Sequence, residues 1–200
     1  MANADAAFGL RPVGGLDGSP YNGGTIRCVI AAGDSTATFI GDPVKLSGTG
    51  VTAGDGSGTY PTVVQATADA QIFGVVTAFE VAGGGNAPNL DNQYRVASTE
   101  RFCQVVPALD NLFAIQADED VEIADIGNTA DLVNTLNVIT AGSTVTGLSG
   151  AELDSSDIDT GSNLQILGVY NAPDNDLATD NPVVIVRINE SVLRGDGTKA

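Results

Sequence analysis

"QIFGVV" at residues 71–76 and "QILGVY" at residues 165–170 are almost the same six residues written twice. Each reads Gln, Ile, a large apolar residue, Gly, Val, then Val or Tyr. β-Branched and aromatic residues suit a pleated, half-buried strand. A Gly inside such a strand marks a bulge or a close approach of another backbone. The flanks echo as well. "FIGDPVKL" at 39 and "DIGNTADL" at 125 precede the copies, and two expected strands, "YRVAS" and "VVIVRINE", follow them. The strings lie 94 residues apart (71 to 165) and the Ile-Gly turns 86 (40 to 126). Two related β units explain this, although short I-x-G-V strings also recur by chance in β proteins.

Outward from the echo, apolar and polar residues alternate in "TIRCVIA", "YPTVVQA", "RFCQVV", "NLQILGVY" and "VVIVRINE", with Gly, Pro, Asn and Asp between the runs. Short strands at spacings near ten residues point to an all-β fold, mainly antiparallel and sandwich- or barrel-like, with at most one or two short helices. The expected helix is "NTADLVNTL", 128–136, capped by Asn128 or Thr129. "SGTGVTAGDGSGT" (47–59) and "AGGGNAPNLDN" (82–92) are expected as exposed loops. The predicted organisation is an extended arm at 1–24, a first β unit at 25–106, a second, acidic β unit at 107–194 packed with the first, and a flexible tail at 195–200.

Charge narrows the function. The 200 residues hold 25 acids and 8 bases, a net of −17, and the 14 acids from Asp110 through Asp180 have no base among them. Nucleic acid and anionic membranes are excluded as partners, because both are bound through clustered Lys and Arg. Six bases lie near the chain ends in sequence: Arg11, Arg27, Lys45, Arg187, Arg194 and Lys199. An acidic partner, if there is one, is expected on that terminal side of the fold. The first residues, "MANADAAFGL", lack the charged and apolar regions of a signal peptide. No apolar run approaches membrane-spanning length. Synthesis and folding in a reducing cytoplasm are expected.

Candidate chemistry is sparse. There is no histidine, so a Ser-His-Asp triad and a Cys-His pair are impossible. Cys28 and Cys103 sit in apolar alternating runs and are expected as buried free thiols, with a disulfide between them the alternative. Neither Gly-rich loop ends in the Lys-Ser/Thr of a phosphate loop. Paired carboxylates are plentiful, but there is no Trp and there are only 4 Tyr to platform a sugar. No catalysis and no cofactor are expected. "DSSDIDTGSN" spaces Asp157, Asp159, Gly161 and Asn163 at alternate positions, which makes Asp157, Asp159 and Asn163 weak calcium candidates. A solvated acidic loop is the plainer reading.

"FGLRPV" (Phe8 to Val13), "IGDPV" at 40, "FAIQAD" at 113, "ADIG" at 124, "LQILGV" at 164, "PDN" at 173 and "VVIVRINE" at 183 occur in an order that resembles a family of tailed-phage head structural proteins, the capsid decoration or cement proteins. The resemblance implies a β-rich virion protein on the outer surface of the capsid. It implies trimers that clamp neighbouring major capsid subunits, and no catalysis. It directs attention to Phe8, Leu10, Arg11, Pro12 and Val13 as partner-binding residues. The alternative is a head fibre or adhesin-like binding module, calcium-dependent in one form.

Overall fold

Period-two alternation sets which way each strand faces. In the computed structural model, which describes residues 3–52, 58–67, 70–81, 93–135 and 138–194, that alternation yields an all-β chain. The strands are β1 (Arg11–Gly15), β2 (Ile26–Ile30), β3 (Pro43–Thr52), β4 (Thr59–Gln65), β5 (Gly74–Phe79), β6 (Arg101–Pro107), β7 (Asn111–Gln116), β8 (Thr129–Ala130), β9 (Asn134–Thr135), β10 (Val138–Ile139), β11 (Leu164–Val169) and β12 (Val183–Ile188). The helices among the described residues are single 3-10 turns at 123–125, 155–157 and 192–194.

Strands β2-β4-β3-β5-β6 close into a barrel, and β1-β7-β12-β11-β8 form a second sheet. Cys28, Ile30, Val44, Val63, Val76, Cys103 and Val105 fill the first barrel. Val75 and Val106 alternate with Val76 and Val105 and therefore face outward from that barrel. They join Phe113, Ile115, Leu132, Leu153, Ile166, Val184 and Val186 in the core of the second sheet. Each fully buried Val or Leu contributes about 1.5–3 kcal/mol, so this shared core fixes one unit against the other.

The second sheet repeats the pairing register of the first barrel. Pro43↔Val75 and Val44↔Gly74 correspond to Thr129↔Gln165 and Ala130↔Leu164. Val76↔Val105 corresponds to Ile166↔Val186, and a bulge follows each, at Thr77 and at Leu167. Cys28↔Cys103 corresponds to Ile115↔Val184. The Ile-Gly turns dock alike. Gly41 N donates to Val76 O and Val76 N to Asp42 O, just as Gly127 N donates to Ile166 O and Ile166 N to Asn128 O.

Closure repeats too. In the first unit Val29 pairs parallel with Thr62, and Leu46 antiparallel with Val63. In the second, Ala117 and Leu132 both bridge to Leu153, in the same two senses. The fifth strand of the second unit has shrunk to Leu153, and β1 occupies the rest of the β7 edge, opposite residues 111–114. The inner strands correspond at an offset of 90 (76 to 166), not the 94 of the echoed strings. Gly74 and Gly168 are therefore not counterparts. A Cβ at Gly74 would lie 2.3 Å from Val106 O, whereas Gly168 has open space and follows the bulge.

Three local expectations are corrected. The helix expected at 128–136 is instead β8, a Leu132 bridge and β9, with residue 136 outside the described residues. Pairing of Thr129 and Ala130 with Gln165 and Leu164 outweighs a nine-residue segment too short to hold a helix alone. "YRVAS" is a turn with one bridge, Thr38↔Arg95, because the buried Arg95 side chain claims the surrounding carbonyls. Residues 47–52 are strand rather than loop, since Gly50, Val51 and Thr52 pair with Pro61, Tyr60 and Thr59. Residues 53–57 of that expected loop, the 82–92 loop and the 195–200 tail lie outside the described residues.

Candidate interaction surface

The N-terminal segment is wired into its own chain from Asn3 onward. Asn3 Nδ2 donates to Asp176 O at 2.8 Å and Asp180 O at 3.0 Å, and Asn3 Oδ1 accepts from Asp176 N. The buried Gln116 side chain accepts from Ala6 N and donates to Ala4 O and Asn181 O. Phe8-Gly9-Leu10 then crosses the Ile40-Gly41 turn, where Leu10 N donates to Gly41 O at 2.9 Å. The crossing is tight. A Cβ at Gly9 would sit 2.5 Å from Gly41 O, and one at Gly41 2.4 Å from Phe8 O, with φ of +71° and +97° at the two residues. Only glycine fits both demands.

This placement divides the five arm candidates. Leu10 is 1% exposed and belongs to the chain's own core, so its assignment as a partner-binding residue is corrected. Phe8, Pro12 and Val13 are half-buried and Arg11 is exposed. The Arg11 guanidinium lies 4.7 Å over the Phe8 ring and 5.8 Å from that of Tyr170. A groove of about 350 Å³ runs beside them, lined by Phe8, Arg11, Pro12, Tyr21, Ile40 and Leu148.

Beneath the crossing is a fully buried carboxylate that sequence reasoning missed. Asp42 Oδ2 accepts from Phe39 N and from Gln65 Nε2, both at 2.9 Å. Oδ1 is buried without a fully formed partner, with the Ser149 hydroxyl beside the carboxylate. Burial pushes this acid up to about 6, against hydrogen bonds from Ser149, Phe39 and Gln65 that pull it down. Its only sequence signal is the "GDP" turn.

The other candidates separate. Asp157 belongs to the 155–157 turn, and its carbonyl accepts from Thr160 N and Gly161 N. Asp159 takes a φ of +77° in the next turn. Asn163 is buried, donating Nδ2 to Glu190 Oε2. The organiser of this loop is Asp131, whose Oδ1 accepts from Ser162 N at 2.7 Å and Asn163 N at 2.9 Å. Among the described residues no group of three or more His, Cys, Asp or Glu is gathered to hold a metal ion. Cys28 and Cys103 are free thiols directly opposite one another in the first barrel. Burial pushes Cys28 up to about 11 and Cys103 further. Such thiols serve as small core residues, as Ile115 and Val184 do in the second unit.

Two arginines also escaped notice as structural centres. Arg95 is fully buried and donates to Thr99 O, Ala31 O and Asp34 O at 2.7–2.8 Å, with a further bond to Thr36 O. Arg27 is stacked between Phe102 and Tyr60, at 4.2 and 4.5 Å from their ring centroids, and pairs in bidentate fashion with Glu80. No family model, curated protein or solved structure matches the chain.

Proposed function

We propose that the protein is a capsid decoration, or cement, protein of a tailed phage. It is a virion structural component that self-associates and binds the outer face of the major capsid shell without catalysis. The observation that supports this best is where the resembling strings fall. "FGLRPV" contains the start of β1, "FAIQAD" lies on β7, "VVIVRINE" on β12 and "LQILGV" on β11, four strands that are neighbours in one sheet. "IGDPV" is the turn crossed by the arm, "ADIG" the turn that docks on β11, and "PDN" ends at Asn175, which bonds Tyr170 O and Val183 O. The shared pattern thus describes one arm-bearing sheet and its fastenings. Two β units fixed by a common core make a stiff body, which suits a clamp whose firmness comes from weak contacts repeated by symmetry.

The test is attachment to capsids that lack the protein. Cutting away the arm would expose the β7 edge and confuse loss of folding with loss of binding. Arg11→Glu changes an exposed residue instead. Wild-type protein is expected to co-sediment with capsids at a fixed stoichiometry, and Arg11→Glu to lower occupancy with an unchanged unfolding midpoint. Failure of the wild type to bind any capsid surface would remove the reading.

A further inference from the structure

Three of the acidic chain's eight bases, Arg11, Arg187 and Arg194, lie together on one side of the fold. Directly opposed residues of an antiparallel pair share a face. Arg11 opposes Ala114, which also opposes Ile185, and Arg187 opposes Leu112 two residues along β7. Arg11 and Arg187 therefore stand on the outer face of the second sheet, with Cα atoms about 12 Å apart from ordinary strand spacings. Arg194 adds its charge nearby and, after burial, is the second cause that holds Arg187 below its ordinary value. None of the three forms an ion pair among the described residues, and Arg187 Nε is buried without a hydrogen-bond partner.

The duplicated register shows how such a face is used. The counterparts of Gln165 and Arg187 in the first barrel are Val75 and Val106. Those two are fully buried, packed on the core of the second unit. Within one chain, then, this face of one unit is already seated on another unit of the same build. At the far end the same face carries Gln165 and Arg187, with Ile185 and Leu112 half-buried beside them.

We propose that the Arg11–Arg187–Arg194 face docks a second copy of this chain, head to tail, with carboxylates of the incoming copy meeting the three guanidiniums. This rests on the reading above that copies associate, and names the surface. The occupant follows from charge and from that internal precedent. Every copy carries −17, so copies repel in most orientations, and an approach that sets this face against carboxylates is the attractive one. Matching chemistry lies in the loop after β7, where Ile123 is 82% exposed and stands among the exposed Glu119, Asp120 and Glu122. A basic face meeting an acidic one is not self-complementary. The contact is heterologous and closes into a ring or runs on as a filament.

The experiment is sedimentation velocity of the full chain at physiological salt, from low to high micromolar concentration, without capsids. Wild type is expected to associate, and Arg187→Glu to shift the association midpoint upward by about tenfold or more. Lys45→Glu makes the same charge change away from this face and is expected to leave the midpoint in place. Matched unfolding midpoints establish that all three are folded. A wild type that stays monomeric throughout overturns the proposal, as does equal weakening by both variants. Capsid occupancy measured separately distinguishes the two readings. A monomer that binds capsids and loses occupancy with Arg187→Glu makes the shell the occupant, which overturns self-association but not the capsid role.

Discussion

Replacing Asp42 with asparagine is expected to stabilise this protein at neutral pH. The carboxylate is fully buried under the arm crossing, and burial raises its pKa from the ordinary 3.8 to about 6. That difference corresponds to about 3 kcal/mol between the two protonation states. The sign follows from linkage. A carboxyl whose folded value lies above its unfolded one binds protons more tightly when folded, so ionisation above about 6 costs stability. The cost is relieved as pH falls from about 6 towards 3.8. Asparagine reproduces the neutral form: its oxygen replaces Oδ2 and accepts from Phe39 N and Gln65 Nε2, and its amide faces the Ser149 hydroxyl. The assay is denaturant unfolding followed by tyrosine fluorescence, since the chain has no Trp. The variant is expected to exceed wild type by about 3 kcal/mol at pH 7.5, with the gap closing by pH 4. Subtracting wild type cancels the changing repulsion among the other acids. A variant less stable than wild type throughout, or a gap independent of pH, refutes the reasoning.

Three further outcomes are expected. Gly74→Ala drives a methyl into Val106 O and is expected to cost about 3 kcal/mol, whereas Gly168→Ala, in open space, is expected to stay within about 1 kcal/mol; urea midpoints compare them. Arg95→Lys keeps the charge but loses the planar fork that binds four carbonyls, and a loss of about 3 kcal/mol or more is expected from the same measurement. Cys28 and Cys103 are expected to ignore a chromogenic disulfide reagent in the native state and to react at the rate of unfolding, which stopped-flow absorbance reads.

Strand content was legible because alternation is local. "RFCQVV" and "VVIVRINE" show their buried faces residue by residue, and both became strands β6 and β12. The echo was legible in kind but not in register. Its two glycines meet different demands, a close carbonyl at Gly74 and a bulge beside Gly168, and a string comparison aligns the letters rather than the demands. The 128–136 segment misled because its Leu and Val spacing suits a short helix, while the partner strand that decides the matter lies more than thirty residues away. Arm residues divided in the same way. Phe8 through Val13 stand out as a motif, but the burial of Leu10 and the exposure of Arg11 depend on the turn at Gly41, thirty residues on. Asp42, Asp131 and Arg95 are single polar letters in ordinary loops, and nothing local distinguishes a buried organiser from a solvated one.

Electron cryomicroscopy of capsids incubated with the purified chain tests the central claim most directly. The account predicts symmetric added density on the outer surface of the shell, bridging neighbouring capsid subunits, with the paired β units fitted as one rigid body and the β1 sheet at a contact. Bare shells at saturating protein, or density confined to the inside of the particle, would contradict it.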